Sequence, residues 1–198
     1  MDVNVAAELD RALAEVRACR HCTGLPCGPR PVLRASATAR LLITSQAPGT
    51  KVHATGLSFN DASGDRLRDW LGLPRDEFYD VSRIAILPVG LCYPGRLPNG
   101  GDAPPRRECA PLWHPRLLPL MPAVRLRLLV GSYAQNLVLG PGAMTERVRR
   151  WRDYLPRYFP LPHPSWRIII WARKNPWFEQ DVVPGLRQAV GKVLDRDG

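Results

Sequence analysis

The chain has no apolar run approaching the ~20 residues that a membrane-spanning helix needs. Its first residues mix Asp, Glu, Arg and Ala and lack the apolar core of a secretory signal. These absences point to a cytoplasmic protein with no membrane partner. There is no internal repeat, low-complexity tract or linker, so residues 1–198 read as one domain. Lysine is scarce and acid is outnumbered: 28 basic residues face 18 acidic ones, for a net charge of +10. Most of that excess is arginine, whose planar fork suits phosphate. A surplus of this kind attracts polyanions, and nucleic acid is the commonest soluble one. A Walker-type phosphate loop is missing, because Pro98-Asn99-Gly100-Gly101 lacks the Lys-Ser/Thr it requires. No carboxylate–histidine constellation marks a metal-dependent nuclease.

What is present alternates between two kinds of segment. Short apolar runs at 39–44, 83–89, 126–130 and 158–161 read as buried strands. Amphipathic stretches at 5–17, 63–71, 107–120, 132–139, 145–154 and 179–194 read as helices, the first with Asn4 or Asp2 as N-cap and the second ended by Gly72. Pro115 interrupts the third of these, and Pro184 lies near the start of the last. Strands alternating with helices predict an α/β protein: a three-layer α/β/α domain with a short central parallel sheet. Ligands of such sheets bind at the carboxyl ends of the strands. Four loop segments there carry polar chemistry: Ser45-Gln46-Ala47-Pro48-Gly49, Phe59-Asn60-Asp61-Ala62-Ser63-Gly64, Cys92-Tyr93-Pro94-Gly95 and His163-Pro164-Ser165-Trp166-Arg167.

Four of the five cysteines form two pairs, Cys19-x-x-Cys22 and the wider Cys92/Cys109 with 16 residues between them. Thiolates are the ligands of iron–sulfur clusters. Structural zinc also uses them, although its pairs are usually both closely spaced. Buried free cysteine is the third reading. Cys27 is left over as a packing residue or free thiol. Asp61 fits either an active-site carboxylate or a helix-capping turn residue, since Asp-Ala-Ser-Gly invites a turn. His21 and His114 read as structural.

Taken together, these motifs resemble the uracil-DNA glycosylase superfamily, in particular its iron–sulfur branches known as families 4 and 5. The resemblance runs from Cys19 to the last helix. The four paired cysteines match the pattern of those branches, which implies a [4Fe–4S] cluster on Cys19, Cys22, Cys92 and Cys109, with zinc as the alternative. Ser45-Gln46-Ala47-Pro48-Gly49 matches the first family motif, with Gln46 replacing its usual acid. Gly56-Leu57-Ser58-Phe59-Asn60-Asp61 keeps the family's Phe and offers Asp61 where one branch has its catalytic Asp. His163-Pro164-Ser165 matches the closing motif. Relatives place a uracil-reading Asn where this chain has Pro88, so Asn60, Asn99 or backbone groups are expected to take over recognition.

The resemblance implies a monomeric, monofunctional enzyme that flips uracil out of single- or double-stranded DNA and hydrolyses its glycosidic bond. Asp61 would stabilise the sugar and position water, and His163 would hydrogen-bond the leaving base; Gln46 would bind the base or the water. Phe59 would stack on the base, with Ala47, Pro48, Gly49 and Ser165 around it. Trp166 would wedge the duplex, and Arg167, Arg173, Lys174 and His53 would hold phosphate. No lysine lies within the motifs as an evident Schiff-base nucleophile, Lys51 being the nearest. The alternatives are a glycosylase for hypoxanthine or xanthine, and a non-catalytic binder of uracil-containing or single-stranded DNA.

Overall fold

The computed structural model describes residues 3–98 and 100–195, the side chain of Val3 excepted. Asn99 and Asp2, which the sequence offers as a base-reading residue and an N-cap, lie outside the described residues. In chain order the elements are α1 (Val3–Arg17), β1 (Leu41–Thr44), α2 (Thr50–Thr55), α3 (Ala62–Leu71), α4 (Arg75–Phe78), β2 (Ile84–Ile86) and α5 (Cys109–Leu117). Then come β3 (Leu126–Val130), α6 (Ser132–Leu139), α7 (Met144–Arg149), β4 (Tyr158–Leu161), α8 (Ile168–Lys174) and α9 (Val183–Val193).

The four strands pair in the order β2-β1-β3-β4, all parallel. Leu41 stands beside Ile84 on one side and Leu126 on the other. The strands are short and buried, as expected for a parallel sheet covered on both faces. Their side chains alternate between two cores. Leu41, Ile43, Ile86, Leu128 and Phe159 pack with Leu67 and Trp70 of α3 and with Leu186 and Val190 of α9. Leu42, Ala85 and Leu87 face the other way, onto Leu9 and Leu13 of α1 and Trp113 of α5. This is the three-layer α/β/α architecture. Because β2 and β3 flank β1 on opposite sides, the chain reverses its winding there, which opens a crevice above the strand ends.

Several boundaries differ from expectation. Asn4 lies inside α1 and is not its cap. The helix expected over 107–120 ends at Leu117 and tightens into a 3-10 turn, Leu118–Leu120, just after Pro115, which has no N–H to give the helix. The one expected over 145–154 is α7 followed by a second 3-10 turn, Trp151–Tyr154. That over 179–194 opens as a π turn, Phe178–Val182, before Pro184 restarts it as α9. The helices α2, α4 and α8 were not anticipated. Among the described residues, no helix is long and apolar enough to cross a membrane.

Candidate functional site

The crevice is an open cleft of about 380 Å³, walled by four stretches of chain. Ser45, Ala47, Pro48 and Gly49 follow β1; Ser58, Phe59 and Asp61 precede α3; Pro88 follows β2; His163, Ser165, Trp166 and Arg167 follow β4. The long loop between β2 and α5 closes the remaining side with Arg96, Gly100, Gly101 and Asp102.

The wall ahead of α3 is built under constraint. Asp61 is the N-cap of α3, and its Oδ1 accepts the Gly64 N–H at 2.9 Å. Asp61 thus caps a helix and also lines the cleft. Phe59 sits in the left-handed region, with φ of 56°, which costs a residue of its size about 1–3 kcal/mol. Two donors hold it there: Arg68 gives a hydrogen bond to the Phe59 carbonyl at 3.2 Å, and the single Tyr79 hydroxyl proton is shared between that carbonyl, at 3.1 Å, and the Ser58 carbonyl, at 2.9 Å. The carbonyl also lies against Gly64, where an added Cβ would sit 1.7 Å from it. The Phe59 ring meets Phe78 edge-on, with centroids 6.1 Å apart.

His163 is fixed from behind. Gly131 brings its backbone so close that a Cβ there would lie 3.2 Å from the His163 Cβ. The Leu161 carbonyl accepts from Gly131 N–H at 2.8 Å and from Gln135 Nε2 at 2.9 Å. Arg66 of α3 donates to the Pro164 carbonyl at 2.8 Å and so ties the second motif to the last. The imidazole keeps some exposure toward the cleft, but protein encloses it elsewhere. That enclosure holds it below the ordinary histidine range, while Asp61 and Asp102 pull it back upward.

Asp102, Arg66 and Arg96 escaped the sequence reading. The loop that presents Asp102 folds back on itself: Ala103 N–H reaches the Gly95 carbonyl at 2.9 Å, and the backbones of Arg96 and Asp102 pair in an isolated antiparallel β-bridge. Its only sequence signal is Gly and Pro density.

Other expected residues lie elsewhere. Gln46 is half-buried and does not line the cleft. The Asn60 side chain accepts from Arg75 at 2.9 Å, outside the lining. His53 packs beside Tyr93, with ring centroids 5.9 Å apart. Arg173 lines a neighbouring groove, and Lys174 ends α8; neither borders the cleft. Trp166, 66 % exposed, projects from the rim with Arg167 over its ring.

Beneath the Pro88 wall lies a buried polar strut. Arg127 of β3 donates to Thr44 Oγ1 at 2.8 Å and to His114 Nδ1 at 3.3 Å. Arginine only donates, so His114 Nδ1 accepts and its Nε2 carries the proton. Nε2 then donates to the Pro88 carbonyl at 2.9 Å. Burial pushes the His114 imidazole down to about 4 and the Arg127 guanidinium down to about 10.

A second, narrow cavity, of about 20 Å³, is lined by Cys19, Cys22, Cys92 and Cys109 together with Pro31, Leu91 and Trp113. Cys27 is exposed and not among its lining residues. Leu91 N–H donates to Cys109 Sγ at 3.3 Å. Burial pushes the Cys22 and Cys92 thiols up, and Cys109 up to about 11. Among the described residues, no group of three or more His, Cys, Asp or Glu side chains is arranged to hold a metal ion. Four thiols at one cavity are the donor set that both structural zinc and iron–sulfur clusters use.

Residues 34–187 match the family model described as the uracil DNA glycosylase superfamily.

Proposed function

Since the chain belongs to the uracil DNA glycosylase superfamily, we propose that it excises uracil from DNA, hydrolysing the glycosidic bond and leaving an abasic site. The observation that carries this reading is the meeting of Asp61 and His163 in one cleft at the strand ends, close enough for the carboxylate to bias the imidazole.

The base must leave the stack to reach the cleft. Phe59, held rigidly at the wall, offers it an aromatic face. As the C1′–N1 bond lengthens, positive charge grows on the sugar and negative charge on the base. Asp61 stabilises the first and orients a water toward C1′. The water oxygen bonds to C1′, its proton passes to a carboxylate, and the electron pair of the broken bond stays on uracil. His163 donates a hydrogen bond to the uracil O2 that receives this charge. Its lowered proton affinity keeps it a neutral donor at neutral pH. No lysine lines the cleft among the described residues, which supports hydrolysis without a Schiff-base lyase step. Arg66, Arg96 and Arg167 give the cleft the positive charge a DNA strand needs, and Trp166 on the rim serves as the wedge.

We further propose that Cys19, Cys22, Cys92 and Cys109 hold a [4Fe–4S] cluster, placing the protein in an iron–sulfur branch of the superfamily. When bound, the cluster supplies a cross-link between the N-terminal segment and the loop after β2. A brown protein with a broad band near ~400 nm and bound iron and sulfide supports this; a colourless zinc protein overturns it. On the same reading the chain works as one domain, monomeric and cytoplasmic.

One observation favours a second reading. Pro88 presents no side-chain donor to the cleft and its carbonyl is bonded to His114, so hypoxanthine or xanthine becomes a rival base. The test is a labelled oligonucleotide holding one uracil, single-stranded or opposite guanine, treated with the protein and then alkali. Breakage only after alkali supports monofunctional uracil excision. Breakage of hypoxanthine or xanthine strands instead supports the second reading, and binding without any breakage makes the protein a DNA binder.

A further inference from the structure

Ser58 is only 4 % exposed, yet it lines the cleft next to Phe59. Its hydroxyl is buried and has no hydrogen-bond partner. Folded proteins rarely leave a buried hydroxyl unpaired, because it forfeits water without replacement. Of the hydroxyls lining this cleft, only that of Ser58 is in this state among the described residues. The backbone here is anchored, while no hydrogen bond fixes the Ser58 rotamer, so a turn about χ1 is what brings the hydroxyl to a ligand in the cleft. The Ser58 carbonyl accepts from the Tyr79 hydroxyl at 2.9 Å, and the next residue is locked in its left-handed conformation by Tyr79 and Arg68. A buried hydroxyl left unpaired beside a cleft marks a place where an arriving ligand can supply the missing partner.

Three neighbouring groups are already occupied. Asp61 Oδ1 caps α3, Asn60 is held by Arg75, and the Pro88 carbonyl takes the His114 proton. We infer that the Ser58 hydroxyl hydrogen-bonds the polar edge of the extruded base and sets which bases the cleft accepts. This inference rests on the glycosylase reading and names the group that reads the base within it. The chemistry defines a class. A hydroxyl rotates and can both donate and accept. It suits an edge with a ring N–H beside a carbonyl, as in uracil or a 6-oxopurine such as hypoxanthine. A fixed amide would select more narrowly between them.

The test is binding, so that it does not depend on turnover. Wild type and Ser58→Ala are titrated with an oligonucleotide carrying a non-hydrolysable 2′-fluoro-deoxyuridine and with one carrying a tetrahydrofuran abasic site. Ser58→Ala is expected to weaken the first roughly tenfold, the scale of one hydrogen bond, and to leave the second unchanged. Its Tm should equal or exceed that of wild type, because an unsatisfied buried group has been removed. Equal binding of the fluoro-deoxyuridine strand by both proteins overturns the inference, as does equal loss for both strands with a lowered Tm, which would make Ser58 structural. If wild type excises nothing but shows the Ser58-dependent preference, the proposed chemistry fails and base reading by Ser58 stands. If wild type excises uracil and Ser58→Ala binds as wild type does, the inference alone fails.

Discussion

The two cavities share one stretch of chain and are built on opposite plans. The loop from Pro88 to Cys109 gives Pro88, Arg96 and Asp102 to the cleft, and Leu91, Cys92 and Cys109 to the cysteine cavity. The cysteine cavity is walled mainly by apolar residues and four thiols. The cleft gathers carboxylates, arginines and an imidazole from every strand end except that of β3. The first is suited to holding the chain together, the second to placing charge against a reacting bond. Helix α5 joins them: it begins at Cys109, and its His114 holds the Pro88 carbonyl. A cavity that ties loops tolerates loss of charge but not of ligands, whereas one that performs chemistry fails on removal of a single proton-bearing group.

The sharpest way to break this contrast is His163→Ala. Excision in single-turnover assays should slow by about 100- to 1000-fold, the usual effect of removing one oxyanion donor, while iron content stays that of wild type. If rate and iron fell together, the two cavities would not be separable. Asp61→Asn comes next. Asparagine caps helices as well as aspartate does, so Tm should hold while excision falls about 100-fold. Asp61→Ala should add a helix-capping loss of about 1 kcal/mol in urea denaturation.

The strut between the cavities is tested by pH. The folded protein keeps His114 neutral down to about 4, whereas the unfolded chain protonates it near 6.5. Stability is therefore full above about 6.5 and lost as pH falls toward about 4, by up to about 3 kcal/mol. Urea unfolding of wild type at pH 7 and pH 5 should show the loss. His114→Gln should flatten it without abolishing it, because His163 contributes in the same direction. An unchanged slope would remove His114 from the strut. The smallest effect on excision belongs to Cys109→Ser. On the proposed cluster reading it should lose the visible chromophore and lower Tm, with only a few-fold loss of rate at 25 °C in the fraction that remains folded. A loss of excision as deep as that of His163→Ala would move the cysteine cavity from scaffold to chemistry.

Much of the scaffold could be read from residue order alone. Leu126–Val130 and Tyr158–Leu161 are strands over the expected residues, since parallel strands need continuous apolar runs. Helix α8 escaped because Ile169 and Ile170 are exposed, so its pattern has no clean polar face. In the cleft, His163, Phe59 and Asp61 came with their motifs. Gln46 and Asn60 came with the same motifs but do not line it: Gln46 sits between Ser45 and Ala47, which do, and the Asn60 side chain is held by Arg75. Asp102 depends on how a Gly/Pro-rich loop folds back. Ser58 depends on a partner being absent, which only three-dimensional packing reveals.

The contact between Gly64 and the Phe59 carbonyl has a consequence for how this protein can vary. At 1.7 Å, even a methyl group at position 64 would drive the carbonyl away from Tyr79 and Arg68, and with it the aromatic wall of the cleft. Every single-step replacement there passes through the same collision. In a saturation library selected for uracil excision, position 64 should come back as glycine alone, although it never touches the substrate.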